Sequence, residues 1–220
     1  IIGRFKKLGY IKYVGHLDLV ALLEKSFKRA GLKVAYTRGF NPQPNISIAN
    51  PLPLGIESQC EYIQIELEED QDLEGILPRI NQELPKGVAF DKLVKTDKLK
   101  LEKLSKLALF SIQLPQEVDI LEVENRMKNI YSSESFILMR PKKRKKYTVE
   151  IPFDLRSFLV DFSIDKEAAK LYYTSKSSNG ASLRADLLIE AINKDGFLVD
   201  PEDIGVLRIS QVDSEGQDLI

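Results

Sequence analysis

Apolar and polar positions change period several times along the 220 residues, and each change predicts an element. Residues 3–14, GRFKKLGYIKYV, interleave aromatic and β-branched residues with basic ones and predict a strand, interrupted at Gly9. From Leu17 the positions Leu19, Leu22, Leu23, Phe27 and Ala30 recur at helical spacing, with Gly31 as the stop. Leu32–Tyr36 predicts a strand, followed by a Gly/Asn/Pro-rich connection to Gly55. Tyr62, Gln64 and Glu66 alternate with Ile63, Ile65 and Leu67, the pattern of a half-buried strand. Leu73, Ile76, Leu77 and Ile80 mark a short helix, and Val88–Val94 a closing strand.

The second half repeats this rhythm less cleanly. Strands are expected over 107–114, 136–139, 147–151, 155–164, 171–174 and 206–212, with helices over 118–130 and after Ser182. The resulting fold class is α+β: two ferredoxin-like βαββαβ units with antiparallel sheets, the second with an added strand. The first domain is expected over residues 1–98 and the second over 105–220. A lysine-spaced crossing of Lys92, Lys95, Lys98, Lys100, Lys103 and Lys106 suggests a surface linker between them, with a short helix as the alternative.

The near-neutral total of -1 conceals alternating blocks. Residues 1–50 carry +7, 51–91 carry -8, 92–150 carry +6 and 179–220 carry -6. Separate charged patches, or pairing between blocks across the fold, are both open to such a chain. The densest basic run is Arg140, Lys142, Lys143, Arg144, Lys145 and Lys146, followed by Tyr147. This run predicts a hairpin tip suited to phosphate contact, together with Lys12, or alternatively to an acidic protein partner.

Four prolines stiffen the connection GFNPQPNISIANPLPLG, because each fixes its own φ and biases the preceding residue toward extended backbone. Gly39, Phe40, Asn41, Pro42, Gln43, Asn45 and Ser47 are its candidate ligand-binding residues. The competing structural expectation packs Phe40, Ile46 and Ile48 into the core.

The stretches KLGYIKYVGHLD (7–18) and YTRGFNPQPNISIANPLPLGIES (36–58) resemble the radical-SAM-linked bacterial domain family of unknown function, DUF2344. EIPFDLRSFL and SLRADLL further along are weaker matches to its later signatures. Three positions depart from the family pattern: Gly15 stands for a serine, Gln43 for a histidine and Asn45 for a lysine. Gln43 cannot shuttle protons and Asn45 lacks a charge that attracts phosphate. The resemblance implies a radical SAM protein as partner, which uses an iron–sulfur cluster and S-adenosylmethionine, and work on RNA or a translation component.

Candidate chemistry within the chain is sparse. His16 is the only histidine, so His16 and Asp18 are the catalytic candidates, against a plain helix-capping role for either. Cys60 is the only cysteine, which excludes an intrachain disulfide, a thiolate metal cluster and the CxxxCxxC triad of a radical SAM centre. It reads as a small buried hydrophobe rather than a nucleophile. Glu57 and Glu61 form a possible carboxylate pair. HExxH, GxSxG, Walker and dinucleotide motifs are missing. No metal site, no cofactor bound by this chain, no membrane span and a cytoplasmic location are expected. The leading expectation is a noncatalytic RNA-recognition or substrate-presenting partner of a radical SAM enzyme. The alternatives are an RNA- or small-substrate-modifying enzyme using His16 and Asp18, and a structural protein-interaction module.

Overall fold

The computed structural model describes residues 1–96, 101–143, 147–178 and 181–220. The chain divides into two compact units, residues 1–106 with 207–220, and residues 107–206. The first unit thus takes in the C-terminal fourteen residues, beyond the boundary that the lysine-rich crossing suggests.

In the first unit β1 (Ile2–Lys7) leads to α1 (His16–Arg29), β2 (Ile46–Ile48), β3 (Ile56–Ile65), α2 (Ile76–Glu83), β4 (Val88–Val94) and the short α3 (Leu101–Leu104). The second unit contains β5 (Leu107–Gln113), α4 (Ile120–Ser132), β6 (Ile137–Lys143), β7 (Thr148–Asp154), β8 (Leu159–Asp165), β9 (Lys170–Ser178), β10 (Ala181–Ser182) and α5 (Ala185–Ile192). The last strand, β11 (Gly205–Val212), returns the chain to the first unit at Leu207. Strand pairing is mostly antiparallel with one parallel pair, which corrects the expectation of purely antiparallel sheets.

Within the first unit the strand order is β11-β3-β1-β4, with β2 also paired to β3. Alternation along β3 sends Ile63 and Ile65 to one face and Cys60 and Tyr62 to the other. The first face meets α1 and α2 through Phe5, Leu19, Leu23, Phe27 and Ile80. Phe90 stacks on Phe5 at 5.1 Å and meets Phe27 edge-on at 5.7 Å. Leu101 and Leu219 pack on part of the second face, so Tyr62 is 1% exposed, while Gln64 stays half-buried and Glu66 exposed, as the alternation expected.

Burial within this unit forces its polar groups to find partners. Glu61 is paired with the guanidinium of Arg208, whose Nε lies 3.0 Å from Glu61 Oε1, and Arg208 Nη1 donates to the Asn50 carbonyl at 2.8 Å. Asn50 Nδ2 donates to Ser105 Oγ at 2.8 Å, Ser105 Oγ to Gln211 Oε1 at 3.0 Å, and Gln211 Nε2 to the Cys60 carbonyl at 2.9 Å. Asn50 holds a positive φ of 45°, a conformation that Asn tolerates better than most residues. Glu61 is therefore not half of a carboxylate pair with Glu57, because its charge is neutralised by Arg208.

In the second unit β9 lies between β8 and β5, and β10 pairs with the end of β9. Phe110 and Tyr173 stack at 5.1 Å over a core that includes Val123, Met127, Leu171 and Leu188. Asp119 caps α4 by accepting from the backbone N–H groups of Leu121 and Glu122. β6 and β7 form a separate two-stranded ribbon.

Candidate nucleic-acid interface

Gly9, with φ of 67°, ends β1 and turns the chain into a 3₁₀ turn over Gly9–Tyr13, so the strand expected over 3–14 is two elements. This turn is fastened at several points. Leu8 N donates to the Gly87 carbonyl at 2.8 Å, Gly9 N to Glu57 Oε1 at 2.5 Å, and Gly55 N to the Lys12 carbonyl at 3.0 Å. Gly87 has φ of 97°, and a Cβ there would stand 2.3 Å from the Leu8 oxygen, so only glycine allows the approach. Beneath the turn the buried Lys7 Nζ lies 3.5 Å and 3.4 Å from the carbonyls of Lys12 and Val14. Burial pushes the Lys7 ammonium below its ordinary pKa; Glu61 opposes that shift and Arg208 adds to it.

Ile11 packs into the core beneath this turn, while Tyr10 and Tyr13 are 93% and 62% exposed. Lys12 Nζ lies 5.3 Å from the Tyr13 ring centroid. His16 is the first residue of α1 and is exposed, as are Leu17 and Asp18. Gly15 is the helix cap, and no side chain completes it, so neither His16 nor Asp18 fills the capping role. Among the described residues no hydrogen bond or ion pair joins His16 or Asp18 to residues 39–45.

The proline-rich connection divides its labour. Thr37 N donates to the Gln43 carbonyl at 2.8 Å and Gln43 N to Thr37 Oγ1 at 2.9 Å, closing a tip that leaves Gly39, Phe40, Asn41, Pro42 and Gln43 exposed. Phe40 is thus fully solvent-facing, against the expectation that it packs into the core. Ile48 does pack there, and Ile46 is partly buried against the same cluster. Asn45 Nδ2 donates to Glu66 at 3.0 Å, and Asn50 joins the buried network, so two of the three loop asparagines support the fold. Ser47 is half-buried on β2.

Strand alternation in the second unit's ribbon places Arg140 and Lys142 on one face and Lys143 on the other. Arg140 lies 5.0 Å from the Phe153 ring, which itself stacks on Phe158 at 5.1 Å. Lys142, Lys143 and Tyr147 are exposed. Among the described residues Arg140, Lys142 and Lys143 have no ion-pair partner. Arg144, Lys145 and Lys146 lie outside the described residues. At the base of the ribbon Ile137 and Met139 line a cleft of about 740 Å³ with Asp186, Glu190 and Phe197.

Cys60 is buried, and burial pushes its thiol pKa up, so it has the environment of an inert core residue. Among the described residues no group of three or more His, Cys, Asp or Glu side chains is placed to hold a metal ion. No helix among them is long and apolar enough to cross a membrane.

The pattern of the bacterial family described as "Uncharacterized protein conserved in bacteria (DUF2344)" matches residues 1–185. The chain belongs to this family. The match takes in both N-terminal motifs, the 3₁₀ turn, the proline-rich connection and the cationic ribbon, so these features of the DUF2344 chain lie inside the shared domain. The comparison with curated proteins gave no match. No local pattern signals the Glu61–Arg208 pair, whose members are 147 residues apart.

Proposed function

We propose that this DUF2344 chain is a noncatalytic RNA-recognition or substrate-presenting partner of a radical SAM enzyme. The observation that carries this reading is the β6–β7 ribbon, which holds Arg140, Lys142 and Lys143 in fixed register, none of them in an ion pair among the described residues. Unpaired cations on a narrow ribbon match a phosphate backbone, where each neutralised phosphate releases a counterion. The family's resemblance to radical-SAM-linked domains supports the partner, and the single buried cysteine supports a division of labour in which the partner brings the iron–sulfur cluster and S-adenosylmethionine. The same cysteine usage supports a reducing, cytoplasmic setting.

We read both units as ferredoxin-like. In the first, the antiparallel order β4-β1-β3-β2, with α1 and α2 as crossovers, supports this. In the second, the order β8-β9-β5 does so, with the ribbon inserted after α4. Ultraviolet crosslinking in cells, followed by sequencing of bound RNA and mass spectrometry of crosslinked peptides, tests the function. The expected result is RNA attached to β6–β7 peptides and recovery of a radical SAM protein with the chain. Absence of RNA from the crosslinked chain contradicts the reading.

A further inference from the structure

Two tyrosines three residues apart on a 3₁₀ turn are not equivalent to two tyrosines on a loop. In a 3₁₀ helix side chains at i and i+3 eclipse, and the rise of about 2.0 Å per residue separates them by roughly 6 Å along the axis. Tyr10 and Tyr13 stand in that relation, both exposed, with no ring contact between them among the described residues. A stacked base occupies about 3.4 Å of a strand, so one base held between two rings needs a ring separation of about 7 Å. The eclipsed spacing is close to that value.

The backbone beneath is pinned by Gly87, Glu57, Gly55 and the buried Lys7, which removes much of the ordering cost on binding. Of the cations in residues 3–16, Arg4 is paired with Asp91 and Asp218 and Lys7 is buried, which leaves the exposed Lys6 and the half-buried Lys12, the latter against the Tyr13 ring. Two exposed aromatic rings on a pinned backbone, with a cation beside one of them, suit an unpaired nucleobase and its phosphate.

We propose that Tyr10 and Tyr13 form a stacking slot for a base of single-stranded RNA, with Lys12 contacting the adjoining phosphate. This rests on the RNA reading of the ribbon but uses a different unit and a different interaction. Stacking does not depend on counterion release, so the two contributions separate by salt.

The test is binding of a fluorescently labelled 12-nucleotide single-stranded RNA, and of the same sequence as a duplex, to the full chain. The measurement is repeated for Tyr10→Ala/Tyr13→Ala and Tyr10→Phe/Tyr13→Phe across a salt series. The alanine pair should lose about tenfold or more in single-strand affinity, with the salt slope unchanged. The phenylalanine pair, which keeps both rings, should bind like the wild type and serves as the folding control. Wild type should bind the single strand more tightly than the duplex, whose bases are unavailable for the slot. Equal binding of wild type and the alanine pair overturns the slot while leaving the ribbon reading intact. Equal affinity for single strand and duplex also overturns the slot. Failure of the wild type to bind either RNA overturns both readings together.

Discussion

The Glu61–Arg208 network and the β6–β7 ribbon treat charge in opposite ways. The side chains of Arg208 and Glu61 are 3% and 2% exposed, and the surrounding Asn50, Ser105 and Gln211 satisfy one another. On the ribbon Lys142 and Lys143 are exposed, Arg140 lies over the Phe153 ring, and none of the three is in an ion pair among the described residues. Charge that serves folding is matched and sealed here, because an unmatched buried charge is costly; charge left open on the ribbon adds nothing to the fold and remains available to a partner.

The largest test of the buried half is truncation. A fragment of residues 1–98 keeps β1 to β4 but removes Ser105, Arg208 and Gln211, leaving Glu61 and Asn50 without their partners. Its thermal unfolding should show no cooperative transition, although the sequence suggests that this stretch has its own core. A sharp transition in the fragment would show that the network is dispensable.

Within the full chain, Glu61→Met and Arg208→Met should each cost about 3–5 kcal/mol in urea unfolding, because each strands a buried charge. The double variant should be more stable than the sum of the two losses implies, since neither member of the pair is then left without the other. Additive losses would contradict the pairing account. Asn50→Ala should cost about 1–3 kcal/mol through its left-handed backbone and lost hydrogen bond, and Asn50→Gly should recover part of that by relieving the backbone.

Lys7 supplies a pH test. Burial lowers its pKa in the folded chain below the unfolded value of 10.5. Between the folded pKa and 10.5 the unfolded chain binds more protons, so Lys7 contributes a rise in stability with increasing pH across that window. The stability difference between Lys7→Met and wild type should therefore shift in favour of wild type as pH rises through it. A difference independent of pH would mean that Lys7 is not held as a buried ammonium.

Much of this arrangement was legible in the residues. Val88–Val94 matches β4, the period of Leu19, Leu23 and Phe27 marked the buried face of α1, and the basic run marked the ribbon. Local patterns failed where the deciding partner lies far along the chain. Alternation in 62–67 holds at Gln64 and Glu66, which stay half-buried and exposed, but Tyr62 is sealed by Leu101 and Leu219 from far along the chain. Leu32–Tyr36 predicted a strand, yet only isolated bridges form at Val34 and Tyr36, because β2 from within the proline-rich segment takes the place beside β3. Burial of Phe40 was a fair expectation for its residue type, but the Thr37–Gln43 bonds close the loop and hold it outside. The candidate site was legible as residue types, while the exposure of Tyr10 and Tyr13 depended on fastenings from Glu57 and Gly87.

The smallest stability effect is expected on the ribbon, where Lys142→Gln/Lys143→Gln should change unfolding free energy by no more than about 0.5 kcal/mol per site. The same variant gives the most direct measurement of the central claim: a salt titration of single-stranded RNA affinity beside the wild type, with circular dichroism to match folding. If both lysines contact phosphate, affinity should fall and the magnitude of the salt slope should drop by about 1.4. Unchanged affinity and slope at matched folding would contradict the assignment of the ribbon to RNA.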